Sequence, residues 1–196
     1  MKKKSIIIAL VIGLIMAAQV SGQIKFGPKT ETFLKIFASG NYHMKATTTA
    51  DGVKADMEMF TKSGRIASTV SAEGETVRVV MRDNKTYMIM ESLKTIMITA
   101  IQDGSQSGVV DTSKMTFTGT GTASFAGKNL SYEEYTEEGK KTRFFIDGNK
   151  LAGMRAIADG ETMDIIISIL DQNVPDSAFN IPSSGYQVQD MSNLKF

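Results

Sequence analysis

What constrains this chain most is the regularity of its turns. Asp51-Gly52, Ser63-Gly64, Glu73-Gly74, Asp83-Asn84, Glu138-Gly139, Asp147-Gly148 and Asp159-Gly160 punctuate it, much of the way at the spacing of about ten residues that marks an antiparallel meander. Gly and Asn tolerate the positive φ that tight hairpin turns require. Only three prolines occur, Pro28, Pro175 and Pro182, and none falls between the first two. Each proline in a sheet deletes a ladder donor, so a proline-free body fits one long sheet.

The segments between turns alternate. Val53, Ala55, Met57 and Met59 oppose Lys54, Asp56 and Glu58, and Val77, Val79 and Met81 oppose Arg78 and Arg82. Phe144 and Ile146 oppose Arg143 and Asp147; Met115, Phe117, Ala123 and Phe125 share a parity; Met163, Ile165, Ile167 and Ile169 share another. Period two with one apolar face is the mark of a half-buried strand. Strands are expected over roughly 40–50, 53–62, 65–72, 75–82, 85–90, 94–100, 114–125, 129–137, 140–147, 150–158 and 161–171. Phe33, Leu34 and Phe37 sit at helical spacing between Thr30, a candidate N-cap, and Gly40, which predicts one short helix over 30–38. The segment 91–102 stays open between a hairpin strand and a lid helix. Leu93, Ile96, Met97, Ala100 and Ile101 form a helical stripe, while Thr95, Ile96, Ile98 and Thr99 are β-branched. Asp103 to Thr112 is small and polar and reads as a mobile loop.

The first residues predict export. Lys2, Lys3 and Lys4 precede an apolar run from Ile6 to Val20, and Val20-Ser21-Gly22 offers a cleavage site before Gln23. The apolar run is shorter than the ~20 residues of a spanning helix. The expected division is a signal peptide, 1–22, and one domain, 23–196, in the periplasm or outside the cell. With no cysteine, the domain has neither disulfides nor an acyl acceptor for a lipid anchor. Without the three leader lysines, the 22 basic residues fall into near balance with the 21 acidic ones. That leaves no electrostatic footprint for nucleic acid or for an anionic membrane surface.

Catalytic chemistry finds little support. His43 is the only histidine and reads as an ordinary strand residue. No Gly-x-Ser-x-Gly elbow is present, and zinc would need more His or Cys ligands. Gly119-Thr120-Gly121-Thr122 lacks the lysine and helix of a phosphate cradle. Glu133, Glu134, Glu137 and Glu138 read as a solvated face. No catalytic residue, metal or cofactor is therefore assigned. The unusual feature is 13 methionines, with Met57/Met59 and Met88/Met90 as i, i+2 pairs on one sheet face each. Three readings stand open: core filling, a deformable apolar cavity, and a thioether site for Cu(I).

The last third carries a family pattern. Phe144-Phe145-Ile146-Asp147, Leu151, Met154, Asp159-Gly160 and Thr162 lead into an Ile-rich strand. That strand is followed by Asn173-Val174-Pro175-Asp176-Ser177-Ala178-Phe179-Asn180-Ile181-Pro182 and by Gly185-Tyr186. This resembles the outer-membrane lipoprotein carriers and their lipoprotein-sorting (LolA-like) relatives, and Lys85-Thr86-Tyr87-Met88 with Lys94-Thr95 is similar to an earlier hairpin pair of the group. The resemblance implies a mainly β fold: a single antiparallel sheet curved into a half-open β-barrel, with a short N-terminal helix, a helical lid and an apolar cavity for acyl chains. It implies non-enzymatic carrying of a hydrophobic or acylated ligand, lipoproteins among the candidate partners. None of the arginines Arg65, Arg78, Arg82, Arg143 and Arg155 sits in a motif that selects it for the cavity. In a curved sheet of this kind, parity selects Met57, Met59, Val77, Val79, Met81, Phe117, Phe144, Ile146, Ile165 and Ile167 as the candidate lining, with Lys54, Arg78 and Arg143 facing solvent. The alternatives are a Met-rich Cu(I)-handling protein and an envelope interaction module with a filled core.

Overall fold

The computed structural model describes residues 27–50, 53–101, 115–137, 139–158 and 161–192. The leader and its cleavage site, Asp51-Gly52, the 103–112 loop, Glu138 and Asp159-Gly160 lie outside the described residues.

Among the described residues, one α-helix and twelve strands follow in chain order, with a 3-10 turn at Asp176–Phe179 before the last strand: α1 (Glu31–Ala38), β1 (Tyr42–Ala50), β2 (Val53–Lys62), β3 (Arg65–Ala72), β4 (Glu75–Arg82), β5 (Lys85–Met90), β6 (Thr95–Ala100), β7 (Thr116–Phe125), β8 (Lys128–Glu137), β9 (Lys140–Asp147), β10 (Lys150–Ala158), β11 (Glu161–Asp171) and β12 (Gln187–Asp190). They form a single sheet in the order β12-β6-β5-β4-β3-β2-β1-β11-β10-β9-β8-β7. The sheet is curved and unclosed, a half-open barrel. Of the segment 91–102, residues 91–101 are described, and they form strand β6 entered through a turn at 91–94. β-Branching at Thr95, Ile96 and Ile98 outweighs the helical stripe there.

The hairpin turns have the backbone their residues allow. Ser63-Gly64 and Glu73-Gly74 place both central residues at positive φ, and so does Asp83-Asn84. Two consecutive positive-φ residues make the turn whose twist matches the flanking strands. The one strand absent from the sequence expectation is β12. It is short, polar and fully exposed, and it pairs parallel to β6.

Register assigns the faces. Directly paired residues share a face, so one row runs Met44, Met59, Ser68, Val79, Met88, Met97. A second runs Ile167, Ala46, Met57, Val70, Val77, Met90. Helix α1 lies on this inner face. Its Leu34 is buried, and Phe33, Ile36 and Phe37 pack against Tyr42, Met44, Met57, Met59, Phe144 and Ile165. The outer face of β3–β6 carries Ala67, Val80, Ile89 and Ile96, covered by the C-terminal strap through Val174 and Phe179. A sheet apolar on both faces needs a cover on each. Here the helix covers one half inside and the strap covers the other half outside.

Three sequence readings change. Ile169 leaves the face of Met163, Ile165 and Ile167, because a bulge at Ser168 sets it opposite Lys45. Met115, Phe117, Ala123 and Phe125 do not share one face, because a bulge between Phe117 and Gly119 inserts Thr118. Phe117 packs beside Tyr135 within the inner core, whereas Phe125 stacks on Phe145 at 4.2 Å in a separate cluster with Leu130. One inserted residue reverses every later side chain. Arg78 does not face open solvent either; it is half-buried and donates to the Ala178 carbonyl of the strap at 2.7 Å. Arg143 is likewise half-buried, above the Tyr132 ring at 4.6 Å, while Lys54 is exposed as expected.

Candidate ligand site on the inner face

The helix is fixed by a buried polar cluster reached from a distant strand. Thr30 occupies the N-cap position, but its side chain makes no cap bond to the helix itself. Glu133 of β8 reaches in instead. Its carboxylate accepts Lys29 N–H at 3.0 Å, Thr30 N–H at 2.9 Å and the Thr30 hydroxyl at 2.6 Å. Tyr135 accepts Gly27 N–H at 2.7 Å and hydrogen-bonds the Thr30 hydroxyl. Burial raises the Tyr135 hydroxyl above its ordinary value, which keeps it protonated and able to donate. Glu133 is 1% exposed, so it does not belong to a solvated acidic face. The helix N-terminus, with its unsatisfied N–H groups, favours a carboxylate at this position. Glu134, one residue on and on the outer face, is half-buried rather than solvated. It pairs with Arg143 at 2.8 Å, which holds its carboxyl below the ordinary value.

This anchoring leaves the inner face unequal from end to end. Of the candidate lining, Met57, Met59, Phe144, Ile165 and Ile167 are buried in the core that includes the helix, with Phe117 packed at its margin. Ile146 is also buried, beside Leu151 in register. Val77, Val79 and Met81 are half-buried, on the half of the sheet away from the helix. The register adds Met88, Met90 and Met97 to them, all half-buried on the same face. The pair Met88/Met90 was visible in the sequence; Met97 was hidden in the ambiguous segment. Among the described residues, none of these six belongs to a packed core cluster. They form a continuous apolar surface of branched and thioether side chains.

All five arginines lie on the outer face by register. Arg65 pairs with Asp176 at 2.8 Å and stacks 4.4 Å from the Phe179 ring. Arg82 donates to the Phe179 carbonyl at 3.2 Å, and Arg155 pairs with Asp164 at 2.6 Å. The described strands therefore bring no guanidinium to the apolar inner surface. The four methionines of the Cu(I) reading do not converge. Met57/Met59 on β2 and Met88/Met90 on β5 are three strand spacings apart, roughly 14 Å, and the first pair is buried. His43 sits in β1 on the outer face, stacked on Phe60 at 4.3 Å and 2.9 Å from Glu58.

A further cavity of about 490 Å³ opens where β10 leaves β11. Their ladder ends at Gly153–Ile166. Just beyond it both strands bulge, at Ala152 against β9 and at Ser168 against β1, and coincident bulges splay the two strands. Phe33, Ile36, Leu151, Ile167 and Leu170 line it, with Lys128 and Asp147 paired at its rim at 2.7 Å.

No protein-family model matches the chain. No curated protein matches it. Among solved structures, an uncharacterized conserved protein from Thermus thermophilus is similar at 7% identity and a TM-score of 0.51, covering 82% of this chain and 99% of that one. The lipoprotein LppX of Mycobacterium tuberculosis is similar at 14% identity and a TM-score of 0.44, over 69% of this chain and 88% of that one. A LolA superfamily protein from Nitrosomonas europaea is similar at 10% identity and 0.38, over 79% and 99%. At 7% identity the likeness to the Thermus protein is one of fold. That fold is a half-open barrel: one curved, unclosed sheet with a helix on its inner side. In this sheet the Val174–Pro182 motif has a structural role. It is the strap, whose Val174 and Phe179 fill the outer face and whose carbonyls are held by Lys62, Arg78 and Arg82.

Proposed function

We infer that this chain is a non-enzymatic binder or carrier of a hydrophobic, acylated ligand, a lipid or the acyl chains of a lipoprotein, in the cell envelope. The observation that carries the reading is the half-buried apolar surface of Val77, Val79, Met81, Met88, Met90 and Met97 on the inner side of a sheet whose outer side is already filled. Acyl chains lack directional chemistry and need apolar area, each buried methylene contributing roughly 0.8 kcal/mol. Met side chains add conformational freedom, so such a surface adapts to flexible chains. The absence of arginine from the described inner strands leaves recognition to that surface rather than to a headgroup pair.

Export through the 1–22 leader is part of the same proposal, and N-terminal sequencing of envelope material is expected to begin at Gln23. The binding test is direct. Purified protein is extracted with organic solvent and the extract read by mass spectrometry, and stripped protein is titrated with a fluorescent fatty-acyl probe. A saturable one-site titration is expected. Failure to take up the probe, with no lipid in the extract, would leave the filled-core interaction module as the better account.

A further inference from the structure

We propose that Met81, Met88, Met90 and Met97 form a site of preferential methionine oxidation, through which peroxide lowers the chain's grip on apolar ligands. The site itself stands on geometry; its consequence for binding rests on the acyl reading above. Met88 lies directly opposite Met97 across β5 and β6, Met90 is two residues along the same face, and Met81 faces Thr86 one strand away. All four are half-buried on the inner surface beyond the helix. Met44, Met57, Met59 and Met115, in contrast, are 7%, 6%, 2% and 6% exposed. Met154 and Met163 are half-buried but packed against the helix-covered core. A chain without cysteine has thioethers as its softest nucleophiles, and reaction follows access.

The chemistry is a two-electron oxygen transfer. The thioether sulfur donates an electron pair to one oxygen of a hydroperoxide. An S–O bond forms as the O–O bond breaks, and the other oxygen leaves as water or an alcohol after taking up a proton. Sulfur is oxidised and the peroxide reduced. The product sulfoxide is polar and chiral. An acyl chain laid over it leaves its S=O group without a hydrogen-bond partner. Enzymatic reduction of the sulfoxides reverses the change.

The experiment is limited hydrogen peroxide treatment of the full folded protein, followed by peptide mapping and fatty-acyl probe titration. Met81, Met88, Met90 and Met97 are expected to oxidise ahead of Met44, Met57, Met59 and Met115. Probe affinity is expected to fall about tenfold and to return after methionine sulfoxide reductase treatment. A variant with Met→Leu at all four positions is expected to keep its affinity through the same treatment. Met163→Leu, a change in the helix-covered half, is expected to protect nothing. Equal oxidation of the buried and half-buried groups would overturn the site. Equal loss of affinity in the parent and the Leu variant would overturn its link to binding. Selective oxidation in a protein that never takes up probe would uphold the site and reject the acyl reading instead.

Discussion

Glu133 and Glu134 are adjacent in sequence and opposite in consequence, which makes them a matched pair of perturbations. Glu133→Ala removes the acceptor for three donors at 3.0, 2.9 and 2.6 Å. Thr30 is fully buried, so water does not replace the lost partner at its N–H, while its hydroxyl keeps Tyr135 and the Gly27 carbonyl. An orphaned buried donor costs about 1–3 kcal/mol. With the lost packing of a buried side chain, the expected loss is about 2.5–4 kcal/mol. Glu133→Gln keeps one amide oxygen for the two Thr30 donors and turns an –NH2 toward Lys29 N–H, for an expected loss of about 1.5–3 kcal/mol. Glu134→Ala breaks a half-buried pair with Arg143, for an expected loss of about 1–1.5 kcal/mol. Urea unfolding followed by far-ultraviolet circular dichroism reads all three. The reasoning requires the order Glu133→Ala, Glu133→Gln, Glu134→Ala. A Glu133→Ala midpoint within error of Glu134→Ala would refute the claim that β8 anchors the helix.

Three further outcomes are expected. Val79→Phe on the half-buried inner surface should cost less than the ~1–3 kcal/mol of overpacking in a filled core and should weaken probe uptake; strong destabilisation without probe uptake in the parent would favour the filled core. Phe179→Ala removes a ring that is 1% exposed and should cost about 3–5 kcal/mol, with faster proteolysis of the strap. The carboxyls of Glu91, beside the Tyr186 hydroxyl, of Glu134, beside Arg143, and of Asp176, beside Arg65, are all held below their ordinary values. Their folded-state pKa values are depressed, so the stability they contribute is present above the ordinary carboxylate range and is lost as pH falls through it and below; a urea midpoint that held level from pH 7 to pH 3 would contradict this.

Local rules were legible in the chain, and their failures share a cause. Ser63-Gly64 and Asp83-Asn84 announce their turns because positive φ is a property of the residues themselves. The eleven antiparallel strands follow from alternation between such turns. Glu133 could not be read this way, because its partners Lys29 and Thr30 lie 104 and 103 residues away. In isolation Glu133-Glu134 is simply a charged pair. Thr118 could not be read either, since a bulge depends on which residue of the neighbouring strand fails to pair. β12 carries too little apolar content to signal a strand, and its pairing comes from the strap that delivers it to β6. Within the candidate site, Val77, Val79 and Met81 followed from parity. Met97 required the register of β6 against β5, which 91–102 alone left undecided.

The unequal covering of the two halves bears on function more than any single residue does. β1, β2 and β8–β11 spend their inner side chains on the helix-covered core. β3–β6 commit their outer side chains to the strap and still carry apolar rows on the inner face. A chain selected only for stability would place polar residues at Val79, Met88 and Met97, as Thr86 and Thr99 do one step along the same strands. Completing the burial of six half-buried side chains is worth on the order of 1 kcal/mol each, several kcal/mol in all. That is free energy the folded chain leaves unrealised until something apolar lies against the face. The helix cannot supply it, because Glu133 and Tyr135 tether its start to β8 at the far side of the sheet. Among the described residues, the tether that stabilises one half of the barrel therefore leaves the inner face of the other half without a covering element.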